Sequence, residues 1–331
     1  MELVNVMLDH PQRKGHRFVN PWPEFEEHGF KDAIRWMVER RKRPATIPAD
    51  GLLAVLPSFI APRAAPNQLT ATWIGHTSAL LQLGGLNILT DPIWSDRASP
   101  LSFAGPRRIS APGIVFDELP IIDAIVISHD HYDHLDERTA RRLISRFPAA
   151  AWRAPLGVGK FLRSLGVRDI EEMTWHQSGE VGGVALTCVP AQHFSGRSPF
   201  NRDRTLWCGW VLSSSSHRVY FAGDTALNPS FTNIGREYGP FDLALMPIGA
   251  YDPRWFMRSV HMDPEECVKA VAMLAPEKKD LPLVLATHWG TFKLTDEPVE
   301  DPPLLMRQAW SKAGFDSNRL WIPRPGETRI L

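Results

Sequence analysis

A run of six residues, His129-Asp130-His131-Tyr132-Asp133-His134, carries the side chains of this chain that are best suited to chemistry. Three imidazoles and a carboxylate so close together lose hydration on burial unless they are paired or coordinated, so metal binding explains them best. His129 and His131 are two residues apart and can face one centre, while Asp133 and His134 follow just before a predicted helix. The run therefore supplies ligands for two metal sites, a centre that can activate water for hydrolysis.

Further candidate ligands follow predicted strands. The strand over 184–190 leads to His193, the strand over 218–223 leads to Asp224, and the strand over 283–287 leads to His288. The six-residue run itself follows an apolar strand over 124–128 of the kind that is buried on both faces. Because loops at strand ends collect functional groups on a rigid scaffold, we expect these three residues to join the run at one edge of the fold.

Strand-like runs with interspersed helical runs predict an α/β (α+β) fold, a layered sandwich with helices outside. Gly84-Gly85 predicts a hairpin turn between two of the strands. The predicted strands cover 70–74, 78–83, 86–90, 124–128, 184–190, 206–212, 218–222, 243–247 and 283–287. The predicted helices between them cover 137–146, 157–165 and 264–274.

One catalytic domain preceded by an arm is expected. At 331 residues the chain is long for a single domain, but layered enzymes of this size form one compact unit. Proline and tryptophan are frequent near the start, where Pro21-Trp22-Pro23 interrupts regular structure, and strand-like texture begins at Leu69. We predict an arm over residues 1–66 that packs on a catalytic domain over residues 67–331.

Two segments of the arm are apolar. A short amphipathic helix is predicted over 31–41, because Ile34, Met37 and Val38 recur at helical spacing. The segment over 52–60 is apolar but short. It either packs against the domain or lines a site for a lipid chain.

Charge and cysteine content argue against several classes of protein. Lysine plus arginine and aspartate plus glutamate are balanced at 37 each, so no global field draws the chain onto nucleic acid. The one basic run, over 39–43, is either a solvated helix end or a contact to lipid headgroups. Cys188, Cys208 and Cys267 form no CxxC pair, which favours a reducing compartment.

The sequence also bears on location. The first residues do not show the cationic start and apolar segment that are typical of a secretory signal. No stretch reaches the roughly 18 apolar residues that a membrane-spanning helix needs. Apolar residues make up 44% of the chain and charged residues 22%, which is ordinary for a globular protein with a sizeable core. We therefore expect a cytoplasmic protein that is soluble or peripheral to a membrane.

The order HxHxDH, His, Asp, His resembles that of the metallo-β-lactamase superfamily. The resemblance implies an αββα sandwich, with two mixed sheets and helices on the outer faces, and a hydroxide that bridges two metal ions. Two Zn²⁺ ions suit a mixed imidazole and carboxylate set, while iron or manganese stays open. The implied ligands are His129, His131 and His193 for one metal, Asp133, His134 and His288 for the second, and Asp224 for both.

More motifs resemble a narrower family, the N-acyl-phosphatidylethanolamine-hydrolysing phospholipases D. The likeness runs from about residue 17 to residue 292, and it is weaker over 171–182 and 193–200, which leaves the acyl-chain preference open. It implies hydrolysis of a phospholipid to N-acylethanolamine and phosphatidic acid. The motifs are RFVNPWP (17–23), WIGHT (73–77), LTDP (89–92), RASP (97–100), GPRR (105–108), FAGDT (221–225), PIGAY (247–251), PRWFM (253–257), HMDPEE (261–266) and HWGTF (288–292).

Other residues near these motifs have open roles. Asp91 either orients a metal-bound imidazole or forms a simple turn. His76 is either a structural histidine or part of the active-site rim. His261 precedes a helix cap at Asp263, which does not explain it, so it contacts a substrate phosphate, donates a proton or is structural. Tyr251 is a similar candidate with weaker support.

Three functions are weighed. The first is a phosphodiesterase acting on a phospholipid, with peripheral membrane contact and Asp133, Asp224 and His261 as catalytic residues. The second is hydrolysis of a lactone, β-lactam, thioester or other small ester, and the third is a non-catalytic metal-binding or redox module. A homodimer is compatible with each. The three large residues over 255–257 fit no strand or helix period and are expected to edge an apolar channel.

Overall fold

A computed structural model describes residues 10–22, 25–40, 53–198 and 200–331. The helices in these ranges are α1 Phe30–Arg40, α2 Glu137–Arg146, α3 Gly159–Leu165, α4 Ser230–Tyr238, α5 Arg254–Met257, α6 Pro264–Leu274 and α7 Asp301–Lys312, with short 3-10 helices at Phe116–Glu118, Lys278–Asp280 and Ser317–Arg319. The strands are β1 Gln12–Lys14, β2 Arg17–Val19, β3 Thr70–Gly75, β4 Ser78–Leu83, β5 Leu86–Thr90, β6 Ala124–Val126, β7 Ala151–Pro155, β8 Ile170–Met173, β9 Ser178–Val181, β10 Val184–Val189, β11 Gly209–Ser213, β12 Arg218–Phe221, β13 Leu243–Pro247, β14 Leu283–Thr287, β15 Leu320–Trp321 and β16 Thr328–Ile330.

Two seven-stranded sheets and the β1-β2 hairpin make up the described β-structure. The first sheet has the order β16-β3-β4-β5-β6-β7-β8, antiparallel as far as β5 and parallel beyond it. The second has the order β15-β14-β13-β12-β11-β10-β9, antiparallel from β9 to β12 and parallel from β12 to β15. Both sheets therefore join an antiparallel meander to a parallel set, so the two halves share one plan.

The layers follow from the alternation of side chains along each strand. In β6, Ala124 and Val126 belong to the large apolar core that contains residues of both sheets. Ile125 between them belongs to a second core with Leu143 of α2 and Leu162 of α3. One face of the sheet thus packs on the other sheet and one face on helices, which confirms the predicted sandwich with helices outside.

The local predictions hold best where the period is long and clear. The bounds predicted for β4, β5, β13, β14, α2 and α6 agree with the structure, and Gly84 and Gly85 form the β4-β5 turn with φ of 61° and 80°. The strand predicted over 206–212 begins later, at Gly209, which pairs with Val189 at the end of β10. Pro190 follows Val189 and has no N–H to extend the ladder.

The described part of the arm lies against the domain. Phe18 and Trp22 are buried in the large core, and the side-chain amide of Asn20 donates to the carbonyl of His193 at 2.8 Å. In α1, the Trp36 indole donates to Asp296 at 2.9 Å. The division of the chain at residue 66 stays a prediction.

Two segments singled out in the arm, the basic run and the second apolar segment, are described only in part. Residues 41–43 of the basic run and Leu52 of the second apolar segment lie outside the described residues. Arg40 is the basic residue of this run that lies within the described ranges. Its side chain is engaged within the protein, because its guanidinium pairs with Asp296 at 3.1 Å and donates to the carbonyl of Leu294. Within the described ranges, no helix combines the length and the apolar character that crossing a membrane requires.

Candidate metal centre

The structure brings together all seven residues predicted as metal ligands. They lie at the ends of β6, β10, β12 and β14, on the edge where the parallel strands of both sheets finish. Their side chains form two groups of donor atoms that meet at one carboxylate. The residues are His129, His131, Asp133, His134, His193, Asp224 and His288.

The first group consists of three imidazoles. His131 Nδ1 lies 2.8 Å from His129 Nε2 and 3.3 Å from His193 Nε2. On its other side, His193 Nδ1 is 2.9 Å from the carbonyl of Val260, which only a protonated nitrogen can approach favourably. The lone pair of His193 is therefore on Nε2, facing the other two rings, as metal coordination requires.

The second group combines imidazoles with carboxylates. Asp133 Oδ2 lies 3.3 Å from His134 Nε2 and 3.6 Å from His288 Nε2. Asp224 Oδ2 lies 3.1 Å and 3.0 Å from the same two nitrogens. It is also 3.8 Å from His193 Nε2 of the first group. Asp224 consequently stands between the two groups, where a bridging ligand would have to be.

Metal ions fit this arrangement. Within the described ranges, His134 Nε2, His288 Nε2 and Asp224 Oδ1 are buried and form no hydrogen bond, although Asp224 Oδ2 lies close to both nitrogens. A buried polar atom left in this state costs free energy, and coordination would recover it. Imidazole nitrogens and carboxylate oxygens are also the donors that zinc and its neighbours accept. Which of the seven bind metal, and how many ions are held, stays a prediction.

Burial and charge shift the pKa values of the site in two directions. Burial lowers the pKa of His131 to about 3 and that of His193 to about 4. Burial is also the largest single influence on His288 and lowers its pKa, but the Asp224 and Asp133 carboxylates together outweigh burial and raise the pKa to about 9. The first group therefore offers unprotonated nitrogens at neutral pH. In the second group, protonation of His288 competes with metal binding.

Asp91 holds His134 from behind. Its Oδ2 lies 2.7 Å from His134 Nδ1, and its carboxylate accepts hydrogen bonds from the backbone and the hydroxyl of Ser128. Both Asp91 and His134 are fully buried. This contact places the proton of His134 on Nδ1 and directs Nε2 at the centre, which is the orienting role that the family resemblance implies for Asp91.

We expect Asp91→Asn to weaken metal binding by about 10- to 100-fold, because an amide cannot match the carboxylate in orienting and polarising His134. Retention of metal against a graded chelator series measures the effect. Asp117→Asn, at an exposed carboxylate, is the matched control. Equal retention by both variants would contradict the orienting role.

His76 belongs to the site, although the sequence left its role open. Its Nε2 lies 2.9 Å from Asp133 Oδ2, its ring lies 4.2 Å from that of His288, and it is 1% exposed. The structure therefore places His76 inside the second group and not at a rim. A usable signal was present, because His76 directly follows β3, just as other candidate ligands follow their strands.

His261 and Tyr251 separate in the structure. His261 lines a cavity above the two groups, and its Nδ1 lies 3.9 Å from Asp224 Oδ2 without a hydrogen-bond partner among the described residues. Tyr251 does not line that cavity and faces a separate groove beside the start of α6. Of the two, His261 is the residue that a substrate at the centre would meet.

The cavity has a volume of about 230 Å³ and opens directly over the candidate ligands. Its floor includes His131, Asp133 and Asp224, and its walls are largely apolar. α5 contributes two of the three large residues expected to edge a channel, while Trp255 packs instead on Arg35 of α1. The apolar wall residues are Phe25, Trp36, Phe194, Ala250, Phe256, Met257, Val260 and Leu294.

Comparison with known proteins identifies the family. Residues 86–289 match the Beta-lactamase superfamily domain. The chain belongs to this superfamily. An uncharacterized protein of Mycobacterium tuberculosis is 42% identical over 280 residues, which cover 82% of this chain and 73% of that protein. The N-acyl-phosphatidylethanolamine-hydrolyzing phospholipase D 1 of Caenorhabditis elegans is 40% identical over 236 residues, 68% of this chain and 65% of that enzyme.

Solved structures of the superfamily share the fold. A metallo hydrolase from the archaeon Ignicoccus hospitalis superposes with a TM-score of 0.60 at 23% identity, covering 80% of this chain and 98% of that one. The superfamily assignment agrees with the two mixed sheets and the cluster of histidines and aspartates at their edge. The chain is therefore a metal-dependent hydrolase with the metallo-β-lactamase fold.

Proposed function

We propose that this superfamily member is a zinc-dependent phosphodiesterase of phospholipase D type, which hydrolyses N-acyl-phosphatidylethanolamine-like lipids. The observation that carries the proposal is the combination of a metal-ligand cluster with an apolar cavity directly above it. The cluster suits the phosphodiester, and the cavity suits the acyl chain next to it. Similarity to the nematode lipase, at 40% identity, supports the same substrate class.

The arm contributes to the substrate cavity. Phe25 and Trp36 both line it, and the Trp36 ring stacks on that of Phe256 at 5.3 Å between centroids. These contacts make the wall more apolar than the domain alone would, which supports an acyl chain as occupant.

The chain's own residues have distinct parts in such a reaction. Asp133, Asp224 and the ligand histidines would hold two divalent cations, which lower the pKa of water and offset charge on the phosphoryl oxygens. Water adds to phosphorus, the bond to the N-acylethanolamine oxygen breaks, and that oxygen takes up a proton. His261, with an unpartnered Nδ1 in the cavity, is positioned to donate a hydrogen bond to a phosphoryl or leaving oxygen. No protein nucleophile is needed.

A lipid substrate also calls for membrane contact, and α1 offers a surface for it. Ile34, Met37 and Val38 form one stripe of the helix and are 42%, 51% and 53% exposed. The amphipathic helix is thus present, but its apolar stripe faces outward. Trp36 of the same helix lines the cavity, so a bilayer bound to this stripe would lie next to the substrate entrance.

We expect Met37→Asp to reduce co-sedimentation with phosphatidylcholine vesicles several-fold, because a carboxylate must lose hydration to enter the bilayer surface. Met37→Leu keeps the apolar surface and serves as the matched control. Unchanged sedimentation of Met37→Asp would show that the apolar stripe does not bind the bilayer.

A side-by-side assay tests the proposed function. The metal-loaded protein is incubated with N-acyl-phosphatidylethanolamine and with a panel of lactones, β-lactams and thioesters. Turnover of the phospholipid to N-acylethanolamine and phosphatidic acid is expected. Turnover of panel compounds alone would overturn the proposal in favour of small-ester hydrolysis, the other activity that this centre suits.

A further inference from the structure

Arg202 stands out among the residues of the substrate cavity. It is the one arginine or lysine among the described residues that line it. It belongs to the loop after His193, within the segment between β10 and β11. Its side chain is one third exposed, so it faces the cavity and is not sealed in the protein core.

The Phe194 ring lies between Arg202 and the candidate metal centre. The guanidinium carbon of Arg202 lies 4.6 Å from the centre of the Phe194 ring. The Phe194 ring in turn lies 4.5 Å from the ring of His131 and 4.8 Å from that of His193. One aromatic layer therefore separates the guanidinium from two candidate metal ligands. This cation–π contact leaves guanidinium N–H groups able to donate hydrogen bonds.

The charge of Arg202 is only partly offset. Its Nε lies 3.3 Å from Asp203 Oδ2, while the other oxygen of Asp203 accepts the backbone N–H of Ser195. Among the described residues, Asp203 is the one carboxylate that pairs with Arg202, and Glu26 of the cavity wall does not. The guanidinium of Arg202 can thus donate bidentate hydrogen bonds to phosphate oxygens.

We propose that Arg202 binds the phosphoryl group of the lipid and selects net-anionic N-acylated phospholipids over zwitterionic phosphatidylethanolamine. The selection rests on the proposed function. N-acylation converts an ammonium into a neutral amide and leaves the phosphate charge unopposed. A guanidinium in the wall attracts such a lipid, whereas an unmodified headgroup brings a cation towards another cation.

Direct binding tests the contact without relying on turnover. The metal-loaded protein is titrated calorimetrically with dihexanoyl phosphatidic acid, a soluble form of the proposed product, whose phosphoryl group is a monoester. Arg202→Gln is expected to weaken binding at least about 10-fold, and Arg202→Lys less, because lysine cannot form a two-pronged contact. Arg204→Gln, an exposed arginine outside the cavity, removes the same charge from the same loop and is expected to stay within 2-fold of wild type.

Metal content and melting temperature must match wild type in every variant, which separates lost binding from lost folding. Equal affinity of Arg202→Gln and Arg204→Gln, or no binding of the acid to wild type, overturns the contact. Kinetics then test the selection. We expect the ratio of kcat/KM for N-acyl-phosphatidylethanolamine to that for phosphatidylethanolamine to fall about 10-fold in Arg202→Gln only.

The two proposals can fail separately. An unchanged kinetic ratio in Arg202→Gln, with the N-acylated lipid still turned over, overturns the selection and leaves the proposed function standing. If wild type turns over neither phospholipid but Arg202→Gln still loses affinity for phosphatidic acid, the proposed function and the selection fail while the phosphoryl contact stands.

Discussion

Asp224→Asn is expected to lower kcat/KM for the phospholipid by at least about 10³-fold. The Asp224 carboxylate contacts His134 and His288 on one side and His193 on the other, so both halves of the centre share it. An asparagine keeps the shape but removes the charge, and it turns one acceptor into a donor aimed at imidazole nitrogens. Initial rates at saturating metal measure the effect.

Metal analysis of the same preparations tells lost metal from lost chemistry. Asp117→Asn, at an exposed carboxylate, should keep the wild-type rate. His131→Ala removes a ligand candidate from the first group and should be impaired as strongly as Asp224→Asn. Full activity in both His131→Ala and Asp224→Asn would mean that the cluster is not the catalytic centre.

Gly249→Ala is expected to lower the free energy of unfolding by about 3 kcal/mol or more. A Cβ at Gly249 would overlap the carbonyl oxygen of His288, a backbone atom that cannot rotate away. The backbone segments around Gly249, His288 and His76 run side by side. The N–H of Ile248 donates to the carbonyl of Thr287, and the N–H of His288 donates to the carbonyl of His76. Relief of the overlap must therefore displace His288, so metal retention should fall as well.

Denaturant unfolding of the metal-loaded protein measures this loss. Gly29→Ala is the matched control, because a Cβ there meets only the Asp32 carboxylate at an ordinary 3.9 Å. The control should change stability by no more than about 1 kcal/mol. Equal stabilities of the two variants would show that the backbones at Gly249 and His288 are not in close contact.

The candidate ligands could be found from sequence because their geometry is set by topology. Within each sheet, the strands that lead to candidate ligands run in one direction and end at the same edge. These strands include β10 and β3, which lie in the antiparallel parts but run in the direction of β12 and β5. A histidine or aspartate just after such a strand is therefore brought to that edge. This rule located His193, Asp224 and His288. The same rule applied to β3 also indicates His76.

Other features depend on backbone geometry that no residue pattern signals. In the described ranges, four of the six non-glycine residues with positive φ lie at the site: His76, Asp91, Ala250 and His288. Residues other than glycine rarely adopt a positive φ, so contacts with the surrounding structure must stabilise it. Such contacts are unknown before the fold is known. The close approach at Gly249 belongs to the same class.

Weakly patterned elements were also missed. β8 and β9 are short, half-exposed strands with charged residues, and α5 is one turn long, too short for a period to show. The outward stripe of α1 has the right period, but periodicity does not say whether a bilayer or the protein covers it. The cavity position of Arg202 follows from the folding of its loop and not from a motif.

Hydrolysis in H₂¹⁸O tests the proposed phospholipase D reaction, because the position of the label reports which bond breaks. The metal-loaded protein is incubated with N-acyl-phosphatidylethanolamine, and the products are analysed by mass spectrometry. Attack of water on phosphorus with departure of the ethanolamine oxygen predicts one ¹⁸O atom in phosphatidic acid and none in N-acylethanolamine. Label in N-acylethanolamine, release of diacylglycerol, or cleavage that survives complete metal removal would contradict a metal-dependent phospholipase D.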